Sequence, residues 1–386
     1  MASESEFRIP SLDGIRAVAA TIVFAAHAGL HDIVPGGFGV TIFFFLSGYL
    51  ITTLLRLEYE SNGSISLKRF YLRRVYRILP PMYLVMLCVS VPFLSDPAMQ
   101  SVTWQGVLSQ VLHVTNYFMI FNNEDQLIPF TGVMWSLAVE EHFYLVFPLL
   151  MLTLVNRMSY PRAAFALFVV CLVVMLWRSY LVYVVGLEGL SVDEPYTYLA
   201  TDARFDSLLY GCIMGLWMNP VLLTDRRRPS PGTVFILFVS GCVLLLWTLL
   251  VRDQGFRESV RYSLQGIALF PIFYAAIMLH RWPIFSWLEF RWIRWLGTIS
   301  YTFYLVHFKA LDVAQKLVGP SKLATAIVGY AIAVAFSWAM LELVEKKMAR
   351  LRKRLHPSKP SPQSATGVPS APDVVGSAPL RPANQR

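Results

Sequence analysis

Residues 135–148 read W-S-L-A-V-E-E-H-F-Y-L-V-F-P, with Glu140, Glu141 and His142 side by side at the start of a long apolar segment. A charge at the centre of a membrane helix costs roughly 2.5–3.5 kcal/mol on insertion scales, so these residues need a functional reason or a partner. A second ionisable set lies in S-L-D-G-I-R-A-V-A-A-T-I-V-F-A-A-H, where His27 follows Arg16 by eleven residues. That spacing is close to three helical turns, so both side chains share a face, and the rise places His27 about 17 Å along the axis from Arg16. An imidazole titrates near neutrality and suits a general base or acyl acceptor; a hydrogen-bonded packing residue is the structural alternative. Glu140 and Glu141 point about 100° apart, so one of them is expected to face His27 and orient it as a carboxylate does in a catalytic triad. A glutamate exposed at a helix N-terminus, favoured by the dipole, is the competing reading.

A third set is K-R-F-Y-L-R-R-V-Y-R-I-L-P-P, residues 68–81. Arg73, Arg74 and Arg77 fall within a turn and a half, and Arg74 and Arg77 share a face at i, i+3. Arginine in preference to lysine is what bidentate phosphate recognition needs, although a basic cluster beside a span also encodes topology. T-D-A-R-F-D-S-L-L-Y-G-C brings Asp202, Arg204 and Asp206 together, as part of a site or as an ion pair within a bundle. Ser300, Tyr304 and His307 recur at i, i+4, i+7, a polar face or a packing one.

These residues must be carried by elements suited to lipid. Hydrophobic residues make up 56% of the 386-residue chain and charged ones 15%, against about 45–50% and about 25% in soluble domains; mean hydropathy is +0.53. Eleven apolar segments, near 14–34, 38–56, 78–95, 104–122, 137–156, 163–185, 200–219, 233–251, 262–280, 295–316 and 323–345, are candidates to span. The chain reads as an all-α polytopic membrane protein, since backbone groups in lipid must be satisfied within helices. The high pI of 9.4 reflects basic clusters flanking spans, six of the 33 basic residues lying between Arg56 and Arg77 and six between Lys346 and Arg354. No nucleic-acid motif accompanies them.

Were all eleven segments to span, the R-R-R loop at 226–228, loop 281–294 and the basic tail would face outward, against the positive-inside rule. Segment 104–122, with Gln105, Gln110, His113 and Asn116, is the poorest span and reads as a re-entrant or interfacial helix. About ten spans remain, with both termini cytoplasmic and the Lys- and Arg-free stretch 96–136 outside. Trp282, Trp287, Trp292 and Trp295 would form an aromatic belt at the inner interface. The acidic N-terminus lacks the basic region of a signal peptide, so residues 1–10 are expected to stay cytoplasmic before a retained first helix. Residues 11–345 form the membrane domain, and 346–386 a basic, then Pro-, Ser- and Ala-rich tail expected to be disordered. The four cysteines lie in apolar segments without CxxC spacing and read as packing residues. No metal and no bound cofactor is expected.

Six segments taken together resemble the acyltransferase 3 family of integral-membrane O-acyltransferases: L-D-G-I-R-A-V-A-A with His27, F-F-F-L-S-G-Y-L-I, R-R-V-Y-R-I-L-P, W-S-L-A-V-E-E-H-F-Y-L-V-F-P, R-F-D-S-L-L-Y-G and I-S-Y-T-F-Y-L-V-H, in the family's order across about 11–345. The resemblance implies about ten spans in a bacterial inner membrane. It implies transfer of an acyl group, by default acetyl, from cytoplasmic acetyl-CoA to a hydroxyl of a carbohydrate or glycolipid. It puts the essential histidine at His27 with Arg16 as its partner, and donor binding at Arg74 and Arg77, with Arg73 and Arg16 counted beside them. It favours Glu140 over Glu141, and leaves Glu141, Arg204, Asp206, Ser300, Tyr304 and His307 as acceptor or supporting residues. His142 stands where a glutamine is frequent, and Glu345 is followed by Lys in place of a Glu-x-Pro-like end. No fused extracytoplasmic esterase-like domain is expected. The acceptor stays open, among them lipopolysaccharide, exopolysaccharide, lipochitooligosaccharide or a small metabolite. A carrier or receptor, its substrate path lined by the same polar residues, is the alternative class.

Overall fold

A computed structural model describes residues 9–91, 99–186, 195–223 and 228–353. Among the described residues every regular element is helical and no strand occurs. Helix α1 (Pro10–Ala25) starts with Pro in its first turn and ends in a π turn, Ala26–Leu30. Gly29 within that turn has φ 99°, a conformation glycine adopts without a Cβ penalty. Helices α2 (Gly36–Asn62) and α3 (Leu67–Ser90) follow. Two short helices, α4 (Trp104–Val111) and α5 (Thr115–Phe121), precede α6 (Met134–Arg157). Then come α7 (Tyr160–Tyr180), one-turn α8 (Tyr196–Leu199), α9 (Thr201–Leu216) and α10 (Pro231–Leu250). The chain continues through α11 (Gln254–Glu258), α12 (Arg261–Met278), α13 (Pro283–Ser286), α14 (Arg291–Val318), α15 (Lys322–Met340) and α16 (Lys346–Lys353).

Six helices among the described residues are long and apolar enough to cross a membrane, or seven if the bent pair of α12 with residues 283–289 counts as one. They are built on α1, α2, α6, α7, α10 and α15. The expected ten is therefore not reached by length and apolarity alone. The remaining long helices, α3, α9, α12 and α14, have 24, 16, 18 and 28 residues; α3 turns arginines to the interior, α9 buries Arg204 and α14 buries His307. The segment near 104–122 is two helices of eight and seven residues, broken at His113 with φ 56°. At 1.5 Å per residue neither reaches across a ~30 Å core.

The bundle is organised by close helix contacts. A Cβ on Gly48 of α2 would stand 1.9 Å from the Leu208 carbonyl oxygen of α9, and one on Gly211 would stand 2.0 Å from that of Phe45. Only glycine at both places lets the two backbones meet, the small-residue packing that membrane helices use. Likewise a Cβ on Gly297 of α14 would lie 1.9 Å from the Asp13 carbonyl oxygen, which seats α14 along α1. Phe44, Phe45, Tyr49, Phe143 and Phe147 fill the interior between α2 and α6, while α7 and α10 turn residues such as Phe165, Leu176, Ile236 and Leu250 outward. Trp282, Trp287, Trp292 and Trp295 are all exposed, as an interfacial belt requires. Cys171 and Cys212 are core residues; Cys88 is exposed, so its packing role does not hold. Residues 1–8 and 354–386, with most of the expected N-terminal and tail segments, lie outside the described residues.

Candidate functional site

A cavity opens between α1, α2, α3, α6 and α14. Arg16, Arg74 and Arg77 line it, with Ser47, Glu140, Glu141 and Tyr144, and with Ser300, Ser136 and Tyr304; on α14 Ser300 stands one turn before Tyr304, whose hydroxyl meets Ser136 at the far end from the arginines. The space between the lining atoms, open mouth included, is about 890 Å³. Tyr301 adds a further wall.

Three of the four expected donor-binding arginines therefore meet in one place. Arg74 stacks its guanidinium 4.8 Å from the Tyr144 ring centroid and 5.6 Å from that of Phe70, which holds the fork in place while leaving its edge able to bind. Arg73 is the exception and needs correcting. Its Nη2 donates to Glu58 Oε2 at 3.0 Å, and Arg69 lies 3.8 Å from the other oxygen. Adjacent residues on a helix point about 100° apart, so Arg73 faces α2 while Arg74 and Arg77 share the cavity face.

The expected pairing of Glu140 with His27 is also corrected. Glu140 accepts hydrogen bonds from Ser47 Oγ at 2.8 Å and Tyr144 OH at 3.1 Å, and it faces Arg74 and Arg77. The partner of His27 is an imidazole: His27 Nδ1 lies 2.9 Å from His307 Nε2. Depth along the membrane matched Glu140 to His27, but α14 is the helix packed on α1, and it brings His307 to that position. The two rings are nearly parallel with centroids 5.0 Å apart, and Phe308 packs against both, at 4.4 and 4.7 Å. His307 is buried and its Nδ1 contacts the Tyr304 carbonyl oxygen at 2.6 Å. Tyr304 joins the two halves, for its hydroxyl is 2.7 Å from Ser136 Oγ in the cavity wall. The shared face expected for Ser300, Tyr304 and His307 is present, with the first two on the cavity and the third on His27.

Arg204 and Asp206 do not reach this cavity. Asp206 pairs with Arg178, a residue not singled out from sequence, through Nη1 at 2.9 Å and Nη2 at 2.7 Å, with both side chains fully buried. Ser263 Oγ completes the carboxylate at 2.6 Å. Arg204 instead stacks on Tyr262 at 3.8 Å and donates to Thr41 Oγ1 at 3.1 Å. Asp202 accepts from Tyr117, Tyr196 and Trp177. His142 is 2.7 Å from Thr201 Oγ1 and outside the cavity lining. Glu345 accepts from Thr302 at 2.6 Å within a π turn, Leu341–Glu345, and the helix continues straight into α16. Ser47 and Tyr144 were missed as site residues; Ser47 is a lone hydroxyl inside an apolar run, the signal that would have found it.

The family model described as an acyltransferase domain matches residues 9–342, nearly the whole described chain. The chain belongs to the acyltransferase 3 family. Family members similar to it include the peptidoglycan O-acetyltransferase OatA of Listeria monocytogenes, 31% identical over 322 residues, which cover 79% of this chain and 50% of that protein. The O-acetyltransferase OatA of Staphylococcus aureus is 30% identical over 311 residues, 78% of this chain and 50% of its own length. A putative peptidoglycan O-acetyltransferase, YrhL of Bacillus subtilis, is 30% identical over 323 residues, 78% and 48% respectively. The chain thus spans about half the length of the curated relatives it matches. No solved structure matches it.

Proposed function

We propose that this protein is a multi-pass membrane O-acyltransferase that moves an acyl group, most simply acetyl, from cytoplasmic acyl-CoA to a hydroxyl of a cell-envelope glycan. The observation that carries the reading is one cavity with Arg16, Arg74 and Arg77 at one end and Tyr304 at the other, a single residue short of the His27–His307 pair. Arginine forks suit the phosphates of coenzyme A. The pantetheine arm is on the order of the Arg16-to-His27 distance, about 17 Å by helix rise, so the thioester can approach the imidazole without a protein relay. His27 acts as general base: the acceptor oxygen attacks the thioester carbonyl, its proton passes to His27, and the leaving thiolate recovers that proton. No covalent acyl-enzyme is needed. The relatives' names support a peptidoglycan-type glycan as acceptor, with other surface polysaccharides and glycolipids as the wider class.

The topology that fits this chemistry has ten spans, the six apolar ones together with α3, α9, α12 and α14, in a bacterial inner membrane. Both termini and the arginine end face the cytoplasm, and His27 faces the outside. Of the four further helices, α9 is short at 16 residues, α12 is apolar enough together with residues 283–289, and α3 and α14 carry ionisable residues of the kind tolerated in a bundle interior. The test of function is mass analysis of surface glycans from a deletion strain complemented with the wild type or with His27→Ala. Loss of O-acyl groups in the deletion, restored only by the wild type, is expected. Unchanged glycans in the deletion strain would refute it.

A further inference from the structure

We propose that His307 is a positioning residue that fixes the tautomer of His27, so that Nε2 of His27 is the nitrogen that takes the acceptor's proton. The inference rests on the reading of His27 as the base and assigns the geometry of that base. It follows from counting protons along a chain of three groups. A backbone carbonyl only accepts, so the 2.6 Å contact between His307 Nδ1 and the Tyr304 oxygen requires the proton on Nδ1. A neutral imidazole carries one N–H, which leaves His307 Nε2 as a lone pair. Facing that lone pair at 2.9 Å is His27 Nδ1, which must therefore be the donor. The remaining nitrogen of His27, Nε2, is then the acceptor. The reverse tautomer of His27 would set two lone pairs against each other.

The surroundings hold this order in place. His307 is 1% exposed, so no water competes for its Nε2, whereas His27 lies at an exposed end of α1. Phe308 packs on both rings and limits their rotation. The π turn at Ala26–Leu30, closed by Gly29 at φ 99°, is an irregularity of the kind found at functional sites, and it carries His27 to the α14 side. In the transfer the acceptor O–H bond breaks as the new C–O ester bond forms, and the proton lands on His27 Nε2. Nδ1–H stays bonded to His307 throughout. The C–S bond then breaks, and the thiolate takes the proton from Nε2. A neutral imidazole behind the base stabilises the transient cation by one hydrogen bond without a full charge, so the proton is returned easily.

The experiment compares His307→Gln, His307→Asn and His307→Leu for acyl transfer from acetyl-CoA to a glycan acceptor, with coenzyme A affinity as the control for folding. A glutamine amide oxygen falls near the place of imidazole Nε2, whereas an asparagine amide falls near Nδ1. The Gln variant is expected to keep kcat within about tenfold of wild type, with Asn and Leu about 10²–10⁴-fold slower, the scale of losing the correct tautomer in a triad. The donor KM should not move in any of them. Asn rescuing as well as Gln, Gln as slow as Leu, or a folded Leu variant at wild-type kcat would each overturn the proposal; if Leu does not fold, the Gln and Asn pair decides. His27→Ala measured beside them separates the two readings. Activity in that variant removes His27 as the base, whereas an inactive His27→Ala with a fully active His307→Leu removes only the positioning role.

Discussion

Arg73 and Arg74 are neighbours in sequence with opposite surroundings, and replacing each by alanine should give opposite results. Arg74 lines the cavity on the face of Arg77, stacked on Tyr144, and a charged hydrogen bond to a phosphate is worth about 1.5–3 kcal/mol. At about 1.4 kcal/mol per tenfold, Arg74→Ala should weaken coenzyme A binding by roughly 12- to 150-fold. Arg73 is spent on Glu58, which is 2% exposed and also accepts from the Ser66 amide at 2.9 Å. Arg73→Ala should leave donor affinity within twofold of wild type. It should instead lower stability by about 1–3 kcal/mol, because a buried carboxylate loses its nearest cation. The loss is held to the lower part of the range for broken buried pairs by Arg69, which remains 3.8 Å from the same carboxylate. Isothermal titration with coenzyme A in nanodiscs measures the first effect, and thermal unfolding of the same preparations measures the second. Equal loss of affinity in the two variants, with both folded, would refute the assignment of the cavity as the donor site.

Asp206→Ala strands the fully buried Arg178 and should cost about 3–5 kcal/mol of stability, read as a large fall in melting temperature; any folded fraction should bind coenzyme A normally. Asn123→Cys and Arg281→Cys, both at exposed positions, should react with impermeant thiol reagents from opposite sides of the membrane, and reaction from one side would break the ten-span topology.

The apolar helices were legible because length and composition alone mark a segment that can cross lipid. The arginine end was legible for a similar reason: Arg74 and Arg77 at i, i+3 share a face whatever surrounds them. Which neighbour each face meets was not legible. Arg73 reads like its neighbours until α2 is known to present a buried Glu58 to it. Glu140 and His27 were matched by depth, which orders residues along the membrane normal and says nothing of which helix lies between. That His27 meets His307, 280 residues away, depends on Gly297 admitting the backbone of α1 at contact distance. Arg178 carried no signal, for a single arginine near the end of an apolar run looks like a topology mark until Asp206 is placed beside it. Of the helices outside the apolar set, α9 is too short at 16 residues, α12 qualifies only together with residues 283–289, and α3 and α14 mix polar and apolar residues along their length.

Everything proposed for the cavity turns on acyl transfer from coenzyme A with His27 as the base. Its most direct test is transfer of labelled acetyl from acetyl-CoA to a glycan hydroxyl by purified protein in proteoliposomes, wild type against His27→Ala. Ester formation with one thiol released per acetyl moved is expected in the wild type. In His27→Ala the rate should fall to background with coenzyme A affinity unchanged. Transfer at the wild-type rate without His27, or glycan movement across the membrane with no acetyl-CoA consumed, would contradict it.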